Sequence, residues 1–463
     1  MMPTVEARGK LERLRGRYPV FSYESFTIER SGSSVRLQFY YRVAPDLSFA
    51  TQTILERVPE AWGQIPVPVF ENLVFHLGLI ESFSYWKATC SPSIVINAGP
   101  LDNEQIAWWK DLLLHGMREF FYVNKIDFTS AEFVAFTAGD GSTLAGWDRQ
   151  LADRSLLPIG GGRDSAFTAR VFQQANKPFG CMVLNPTPAS RRVVAAVGCA
   201  EPVVIQRTLD PRLLQLNEQG YLNGHTPFSA MLAFLGAICL AVYDYSKIVI
   251  ANERSSDEGN AVFLGKKINH QYSKSFAFEE KFDRYLQKYL LQHAGYFSFL
   301  RPLYELQIGR AFSRYPEMFT AFRSCNRNQK SDSWCGTCPK CLSVFITSYP
   351  FVSDTDLVRM FGSDFFQSEN SIPIIRQLAG LDEHKPFECV TTFDETIASL
   401  YLCVSRCEKD GRPLPLALRY ASESILPSKG EAAAIASRIL AGGDTRHRIP
   451  AEFEKLLLAA VRE

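Results

Sequence analysis

The residues best suited to chemistry form one short glycine-rich run: Gly160, Gly161, Gly162, Arg163, Asp164 and Ser165. Glycines let a backbone approach an anion closely, and the start of a following helix offers unpaired N–H groups and a positive dipole end. The chain contains no G-x-x-x-x-G-K-[ST] segment, so the run is not a Walker A motif. An apolar stretch precedes it and a helix-like segment follows. This order predicts a phosphate cradle, and a glycine-rich turn without a ligand is the alternative.

The run resembles the SGG-x-DS loop of the PP-loop (N-type) ATP pyrophosphatases, which cleave ATP to AMP and pyrophosphate. Gly160 stands where serine is usual, which removes one hydroxyl donor to phosphate. The resemblance implies that residues 160–165 bind ATP. It also implies that Mg²⁺ bridges the phosphates, with Asp164 or Asp257 helping to hold the ion. Arg254 and Lys274 are candidates for binding phosphate or substrate carboxylates, and ordinary surface charge is the alternative for both.

A second cluster consists of four cysteines with the spacing C-x9-C-x2-C-x2-C: Cys325, Cys335, Cys338 and Cys341. Thiolates two residues apart on tight turns can bind one ion together, and four of them complete a tetrahedral zinc shell with no open position. The spacing therefore predicts a structural Zn²⁺ site, with a redox C-x-x-C pair as the alternative. The eleven cysteines come without a secretory signal. This favours a reduced, cytoplasmic compartment.

Two further resemblances involve larger parts of the chain. A glycine loop followed by this cysteine spacing is similar to the 7-cyano-7-deazaguanine synthases, which are PP-loop enzymes. More of the chain resembles the ATP-dependent UDP-N-acetylmuramoyl-L-alanyl-L-glutamate epimerases. The matching segments are the cysteine cluster and residues 76–81, 84–87, 160–165, 223–227, 251–254, 269–275 and 385–390. The second resemblance implies peptidoglycan precursor synthesis, with a UDP-linked muramoyl dipeptide as the substrate.

An ATP loop has a chemical purpose in such an epimerase. The Cα–H next to a free carboxylate is a poor acid, and joining that carboxylate to AMP makes the proton much easier to remove. A base then takes the proton, an acid returns one on the opposite face, and water releases the product. Cys389, His225 and His270 are the candidates for these proton transfers. A buried structural cysteine and structural or binding histidines are the alternatives.

Two other functions stay open at this stage. An adenylating synthase or ligase would use the same loop on a nucleobase or another carboxylate, with ammonia or an amine as the attacking group. A non-catalytic, zinc-stabilised nucleotide-binding module is the third possibility. The complete loop of residues 160–165 argues against that module, because a degenerate one would be expected to lose its phosphate contacts.

The elements that must position these residues suggest an α/β protein with three consecutive regions. Residues 1–150 predict a mixed α+β N-terminal domain, with a turn cluster at 138–142 as its boundary. Residues 151–345 alternate strands, at 156–159, 181–184, 203–206 and 247–251, with helical stretches. This alternation predicts a doubly wound parallel sheet, a PP-loop (HUP-like) core, with ligands at the carboxyl ends of its strands. Residues 276–319 read as helical, and 346–463 as a helical C-terminal region.

Composition narrows the choice of partners. The formal net charge is +1 and no long basic run exists, so the electrostatic footprint of a nucleic-acid binder is missing. Residues 228–243 are strongly apolar but fall short of the ~20 residues that a spanning helix needs. They predict a buried core helix, and we expect no stable membrane insertion.

Overall fold

The computed structural model of the chain describes residues 5–139, 141 and 144–462. It divides into two compact units, each built from separated segments of the sequence. The first unit comprises Met1–Leu156, Val203–Ile248 and Val262–Tyr296, and the second comprises Leu157–Pro202, Val249–Ala261 and Phe297–Glu463. This division differs from the three consecutive regions expected from the sequence, because the chain returns twice to the first unit after leaving it.

The first unit is built on a mixed sheet of strand order β8-β3-β2-β1-β4-β5. Its strands are β1 (Val20–Ser31), β2 (Ser34–Ala44), β3 (Leu47–Leu55), β4 (Ser93–Pro100), β5 (Ala135–Gly139) and β8 (Val203–Thr208). The first three form an antiparallel meander, while β4 runs parallel to β1 and β5 parallel to β4. A small hairpin pairs β10 (Ala261–Phe263) with β11 (Lys266–Ile268).

The helices of the first unit are α1 (Val5–Arg17), α2 (Val67–Trp86), α3 (Asn103–Gly116), α4 (Arg118–Val123), α7 (Pro211–Glu218), α8 (Phe228–Tyr243) and α9 (Phe276–Tyr285). Helix α2 is buried along most of its length and lies against β1 and β2. The close contact between α2 and the sheet requires glycine at Gly78, where an added Cβ would lie 2.0 Å from the Tyr23 hydroxyl and 2.7 Å from Phe39. The Tyr41 hydroxyl donates to the Gly78 carbonyl at 2.8 Å, which anchors the helix to the sheet.

The second unit contains strands in the order β12-β9-β6-β7, with β6 (Ser155–Pro158), β7 (Phe179–Leu184), β9 (Lys247–Ile250) and β12 (Gly295–Ser298). Strands β6 and β9 are parallel. The unit boundaries fall within β6, β9 and β12. Its helices are α5 (Arg163–Gln174), α6 (Pro188–Ala196), α10 (Glu305–Phe312), α11 (Pro339–Ser348), α12 (Asp354–Phe361), α13 (Ser371–Leu378), α14 (Phe393–Lys409), α15 (Leu416–Ser424), α16 (Lys429–Ala441) and α17 (Ala451–Arg462).

The structure confirms most of the elements predicted from the sequence. The four predicted strands are β6, β7, β8 and β9, and the apolar segment 228–243 is the buried helix α8. The region after residue 345 is helical as expected. The prediction of a helical pattern throughout 276–319 is wrong at one place, because residues 295–298 form β12. Four residues are too few for a periodic pattern, and their place beside β9 makes them a strand.

Two further expectations concern the boundary and the membrane. The predicted boundary turn at 138–142 begins at the end of β5, and Asp140 and Ser142 lie outside the described residues. Within the part of the chain that the structure describes, no helix has the length and apolar character needed to cross a membrane.

Candidate functional site

The glycine-rich run lies in the second unit, between the end of β6 and the start of α5. Gly161 has φ +88°, a conformation that favours glycine. An added Cβ there would lie 2.6 Å from the Ser190 amide nitrogen and 2.9 Å from Ala189 of helix α6. An added Cβ at Gly160 would meet open space instead. The loop therefore presses its backbone against α6 and leaves room on the side of Gly160.

Two helix N-termini border this loop. Gly162 is the N-cap of α5 and provides no side-chain cap, and Ser165 in the first turn donates its hydroxyl to the Gly162 carbonyl at 3.1 Å. Helix α6 begins after Thr187, whose hydroxyl accepts from the Ser190 amide at 3.1 Å. Because the positive ends of two helix dipoles meet at a glycine loop, the geometry suits an anion. These features fit the phosphate cradle expected from the sequence.

The Arg163 side chain points into the protein. Its guanidinium donates to Thr347 at 2.7 Å and to Glu305 at 3.2 Å, and it lies 3.1 Å from the Asp164 carboxylate. Only 1% of the side chain is exposed. Arg163 therefore ties α5 to α10 and α11 with its side chain, and its main-chain N–H donates to the Ser324 hydroxyl at 3.1 Å.

A buried lysine completes the surroundings of the loop. Lys340, at the start of α11, donates to Glu305 at 2.9 Å. Burial opposes the charged form of this ammonium, but Glu305 raises the pKa of Lys340 above its ordinary value. Asp164 and Cys389 act on the same pKa in the same direction. The half-buried Cys389 and the loop residue Asp164 are therefore both close enough to Lys340 to influence its charge.

Arg254 and Asp257 occupy the short helical turn that follows β9. Because β9 runs parallel to its neighbour β6, this turn and the glycine loop lie at the carboxyl ends of adjacent strands. Asp257 lies 3.9 Å from the buried guanidinium of Arg301 and remains partly exposed. Arg254 packs over the Tyr304 ring at 4.5 Å and lies 3.7 Å from Asp444.

The four predicted cysteines come together in the second unit. Their sulfur atoms all lie within 4.8 Å of one another. Backbone amides point at three of the sulfurs, from Asn328 to Cys325 at 3.3 Å, from Thr337 to Cys335 at 3.4 Å and from Cys341 to Cys338 at 3.4 Å. N–H groups aimed at sulfur stabilise thiolates, so the group can hold one metal ion, and it fits a structural zinc.

The two candidate histidines come together in the first unit. The ring centroids of His225 and His270 are 4.4 Å apart. His270 contacts the Glu119 carboxylate through Nδ1, and His225 Nδ1 lies 3.7 Å from the same oxygen. Burial lowers the pKa of His225 to about 3, and further contributions come from His270, Lys87 and Lys274. The His225 imidazole is therefore neutral near pH 7.

Sequence reasoning missed Glu119, Glu305 and Lys340, which contact the predicted residues. Lys340 is a charged residue within a mostly apolar helical stretch, and this was the available signal. Glu305 shares its helix with Arg310 and gave no such signal. Glu119 occupies the first turn of α4, a position where acidic residues are common for helix stability alone. Its contact with two histidines more than a hundred residues away depends on the fold.

Comparison with known proteins places the chain in a family. The MurL N-terminal domain matches residues 13–299 and the MurL C-terminal domain matches residues 321–432. A UDP-N-acetyl-alpha-D-muramoyl-L-alanyl-L-glutamate epimerase from a Micromonospora strain is 30% identical over 462 residues, 96% of this chain and 99% of the relative.

Epimerases of the same name from other bacteria give similar matches. The Xanthomonas oryzae protein is 32% identical over 76% of this chain and 78% of its own length. The Salinispora tropica protein is 33% identical over 70% of this chain and 72% of its own length. The chain therefore belongs to the MurL epimerase family, and it is an enzyme of the isomerase class.

Proposed function

We propose that this enzyme inverts the terminal L-glutamate of UDP-N-acetylmuramoyl-L-alanyl-L-glutamate to D-glutamate, at the expense of ATP, in peptidoglycan precursor synthesis. The observation that carries the proposal is the match to an epimerase of that name along 96% of the chain. The geometry of the glycine loop supports the use of a nucleotide, because its backbone and two helix N-termini suit a polyphosphate.

ATP would activate the glutamate carboxylate. A carboxylate oxygen attacks the α-phosphorus, the bond to the β-phosphate oxygen breaks, and pyrophosphate leaves. Residues 160–165 would hold the phosphates through main-chain N–H groups and the Ser165 hydroxyl, with Arg254 as a further partner. Lys274, in the first unit, is a separate candidate for binding a substrate carboxylate. Mg²⁺ would be held by Asp164 or Asp257 and would offset the phosphate charge.

The adenylated carboxylate makes the Cα–H acidic, so a protein base can remove this proton. Cys389, His225 and His270 are the proposed proton-transfer groups. They lie in different units, so we treat the thiol and the pair of imidazoles as separate candidates. After a proton returns to the opposite face of Cα, water attacks the acyl carbon and AMP leaves with the product.

The cysteine group would hold a structural Zn²⁺. Cys325, Cys335, Cys338 and Cys341 supply four sulfur ligands and leave no open position, so we assign the ion no role in the reaction.

The test is a reaction of purified enzyme with ATP, Mg²⁺ and the UDP-muramoyl-L-alanyl-L-glutamate substrate, run in parallel without ATP. We expect D-glutamate after hydrolysis and chiral chromatography, with AMP and pyrophosphate as the nucleotide products. The same reaction in heavy water should place deuterium at Cα, because the bond to hydrogen must break.

Other products would contradict the scheme. ADP and phosphate as main products would exclude activation by adenylation. D-glutamate formed equally fast without ATP would remove the nucleotide from the mechanism. If no D-glutamate forms, and an amide or a nitrile appears once ammonia is added, the chain is an adenylating synthase instead.

A further inference from the structure

A second cluster of metal-ligating side chains lies in the first unit, apart from the four cysteines. It consists of Glu119 in the first turn of α4, His225 in the loop before α8 and His270 after β11. One ligand atom from each residue lies within 4.8 Å of the other two. Three distant segments of sequence thus converge on one point, which is typical of a built site.

The local structure holds each of these segments in place. The end of α3 packs on the histidine loop, since an added Cβ at Gly116 would lie 2.9 Å from Pro227. Lys87 donates to the Gly224 carbonyl at 2.8 Å, and Asn124 donates to the Asn223 carbonyl at 2.9 Å. Arg118, beside Glu119, donates to the Lys267 carbonyl at 2.8 Å and so joins α4 to the hairpin that precedes His270.

The donor atoms converge on one carboxylate oxygen. Nδ1 of His270 contacts Glu119 Oε2, and Nδ1 of His225 lies 3.7 Å from that oxygen. The imidazole planes are inclined by 48°. The exposed fractions of the side chains, 21% for His225, 17% for His270 and 14% for Glu119, leave the cluster accessible to a small ion.

We infer that Glu119, His225 and His270 form a site for one divalent transition-metal ion, such as Zn²⁺, Co²⁺ or Mn²⁺. Two imidazole nitrogens and one carboxylate oxygen are donors that these ions accept. Three protein ligands leave an open position, in contrast to the closed shell of four thiolates. This position would accept water or an oxygen atom of a bound acid.

Two nearby lysines determine which kind of fourth ligand the proposed metal site favours. The Lys87 ammonium group donates to the carbonyl of Gly224, the residue before His225, at 2.8 Å, and Lys274 lies in the helical turn that follows His270. They weaken the binding of a bare cation, and they favour an anionic fourth ligand that offsets the combined charge. A carboxylate is therefore the ligand class that fits the open position. If the proposed function is correct, a metal here would occupy one nitrogen of each imidazole, which leaves Cys389 as the proton-transfer candidate.

The test is a titration of purified, metal-depleted protein with Co²⁺, followed by absorption spectroscopy. Cobalt bound to cysteine sulfur gives intense thiolate charge-transfer bands, whereas cobalt bound by histidine and carboxylate gives only weak ligand-field bands. We expect two equivalents of cobalt per chain, one of each kind. Acetate added to the loaded protein should change the weak bands and leave the charge-transfer bands unaltered.

Variants test whether the second cobalt ion binds at Glu119, His225 and His270. Glu119→Gln and His270→Ala should each lower the affinity for the second cobalt ion by at least about tenfold. Even the loss of a residue that only hydrogen-bonds to a metal ligand lowers metal affinity by that much. His293→Ala is the matched control, because His293 is an exposed histidine of the same unit paired with Asp148. It should retain both equivalents, as should the wild-type protein.

Two results would overturn the inference. One is saturation of the wild-type protein at a single equivalent with thiolate charge transfer, a measurement that needs no variant. The other is an unchanged second equivalent in folded His270→Ala protein. Because metal binding is measured without turnover, neither result bears on the proposed epimerisation, which fails only if no D-glutamate forms.

Discussion

Ser165 offers the most direct test of the glycine loop at the scale of single residues. Its hydroxyl donates to the Gly162 carbonyl three residues earlier, in the first turn of α5. If the loop holds phosphates whose charge grows in the transition state, Ser165→Ala should lower the rate of pyrophosphate release by more than about tenfold. Pyrophosphate release at saturating ATP is the measurement.

A second serine provides the control for this prediction. The hydroxyl of Ser313 donates to the carbonyl of Arg310 at 2.7 Å, also three residues earlier, but after the end of α10. Ser313→Ala removes the same kind of contact away from the loop and should retain the wild-type rate. Equal rates for both variants would mean that Ser165 has no contact with the nucleotide.

His76 makes the stability of the protein depend on pH. Its ring is fully buried on α2, where Nδ1 is 2.8 Å from the Asn72 carbonyl and Nε2 is 2.8 Å from the Tyr285 hydroxyl. Burial lowers the pKa of His76 to about 4. As pH falls below about 6.5, the unfolded chain takes up the proton first, so the free energy of unfolding decreases by about 2 kcal/mol by pH 5.

The measurement compares urea unfolding of the wild type and His76→Gln at pH 7.5 and pH 5. The variant lacks this titration, so its stability deficit at pH 7.5 should shrink at pH 5. A constant deficit for His76→Gln would show that the ring titrates normally in the folded protein.

At the scale of elements, the packing of α10 on α11 positions the buried charges beside the loop. Glu305, at the start of α10, accepts from Lys340 on α11 and from Arg163. Arg163 in turn donates to Thr347 on α11. Gly309 permits this approach, because an added Cβ would lie 2.3 Å from the Thr347 carbonyl oxygen. Gly309→Ala should therefore destabilise the protein by about 1–3 kcal/mol, measured by urea unfolding.

Gly430 is the matched glycine for this comparison. It lies in the first turn of α16, and an added Cβ would have no heavy atom within 4 Å beyond its chain neighbours and the backbone of its own helix. Gly430→Ala should be neutral or stabilising by up to about 1 kcal/mol, since alanine lowers the entropy of the unfolded chain. If Gly309→Ala were equally harmless, the two helices would not be held at the distance seen here.

At the scale of the whole molecule, a metal ion held by the four cysteines would contribute to folding. The cysteine group joins the segment before α11 to the helix itself, and its sulfurs pack in the core of the second unit. Cys338→Ser should abolish the zinc bound by the four sulfurs and lower the melting temperature, because the four thiolates come together only in the folded chain and metal binding is therefore coupled to folding. Elemental analysis and calorimetry are the measurements.

Cys389→Ala is the control for this experiment, since the half-buried Cys389 is outside the cluster. It should retain one zinc bound by the four sulfurs. Full zinc content in Cys338→Ser protein, with its folding unchanged, would contradict a site made by these four ligands.

The sequence alone was enough to predict the features that are contained in a short stretch of residues. The glycine run, the cysteine spacing and the buried apolar segment 228–243 are each contained in a short stretch, and the structure places each where a strand-to-helix turn, a metal group and a core helix were expected. These features are set by backbone freedom at glycine, by ligand spacing and by hydrophobic burial, all of which act over a few residues.

Tertiary structure decided what depends on distant segments. Only the fold brings Glu119 to His225 and His270, and Glu305 to Arg163 and Lys340, because these contacts join separate elements. It also decided that residues 295–298 form a strand, and that the compact units interleave along the chain. The physical reason is that residues far apart in sequence meet only after several elements have packed, and no local pattern records which of them will share a burial site.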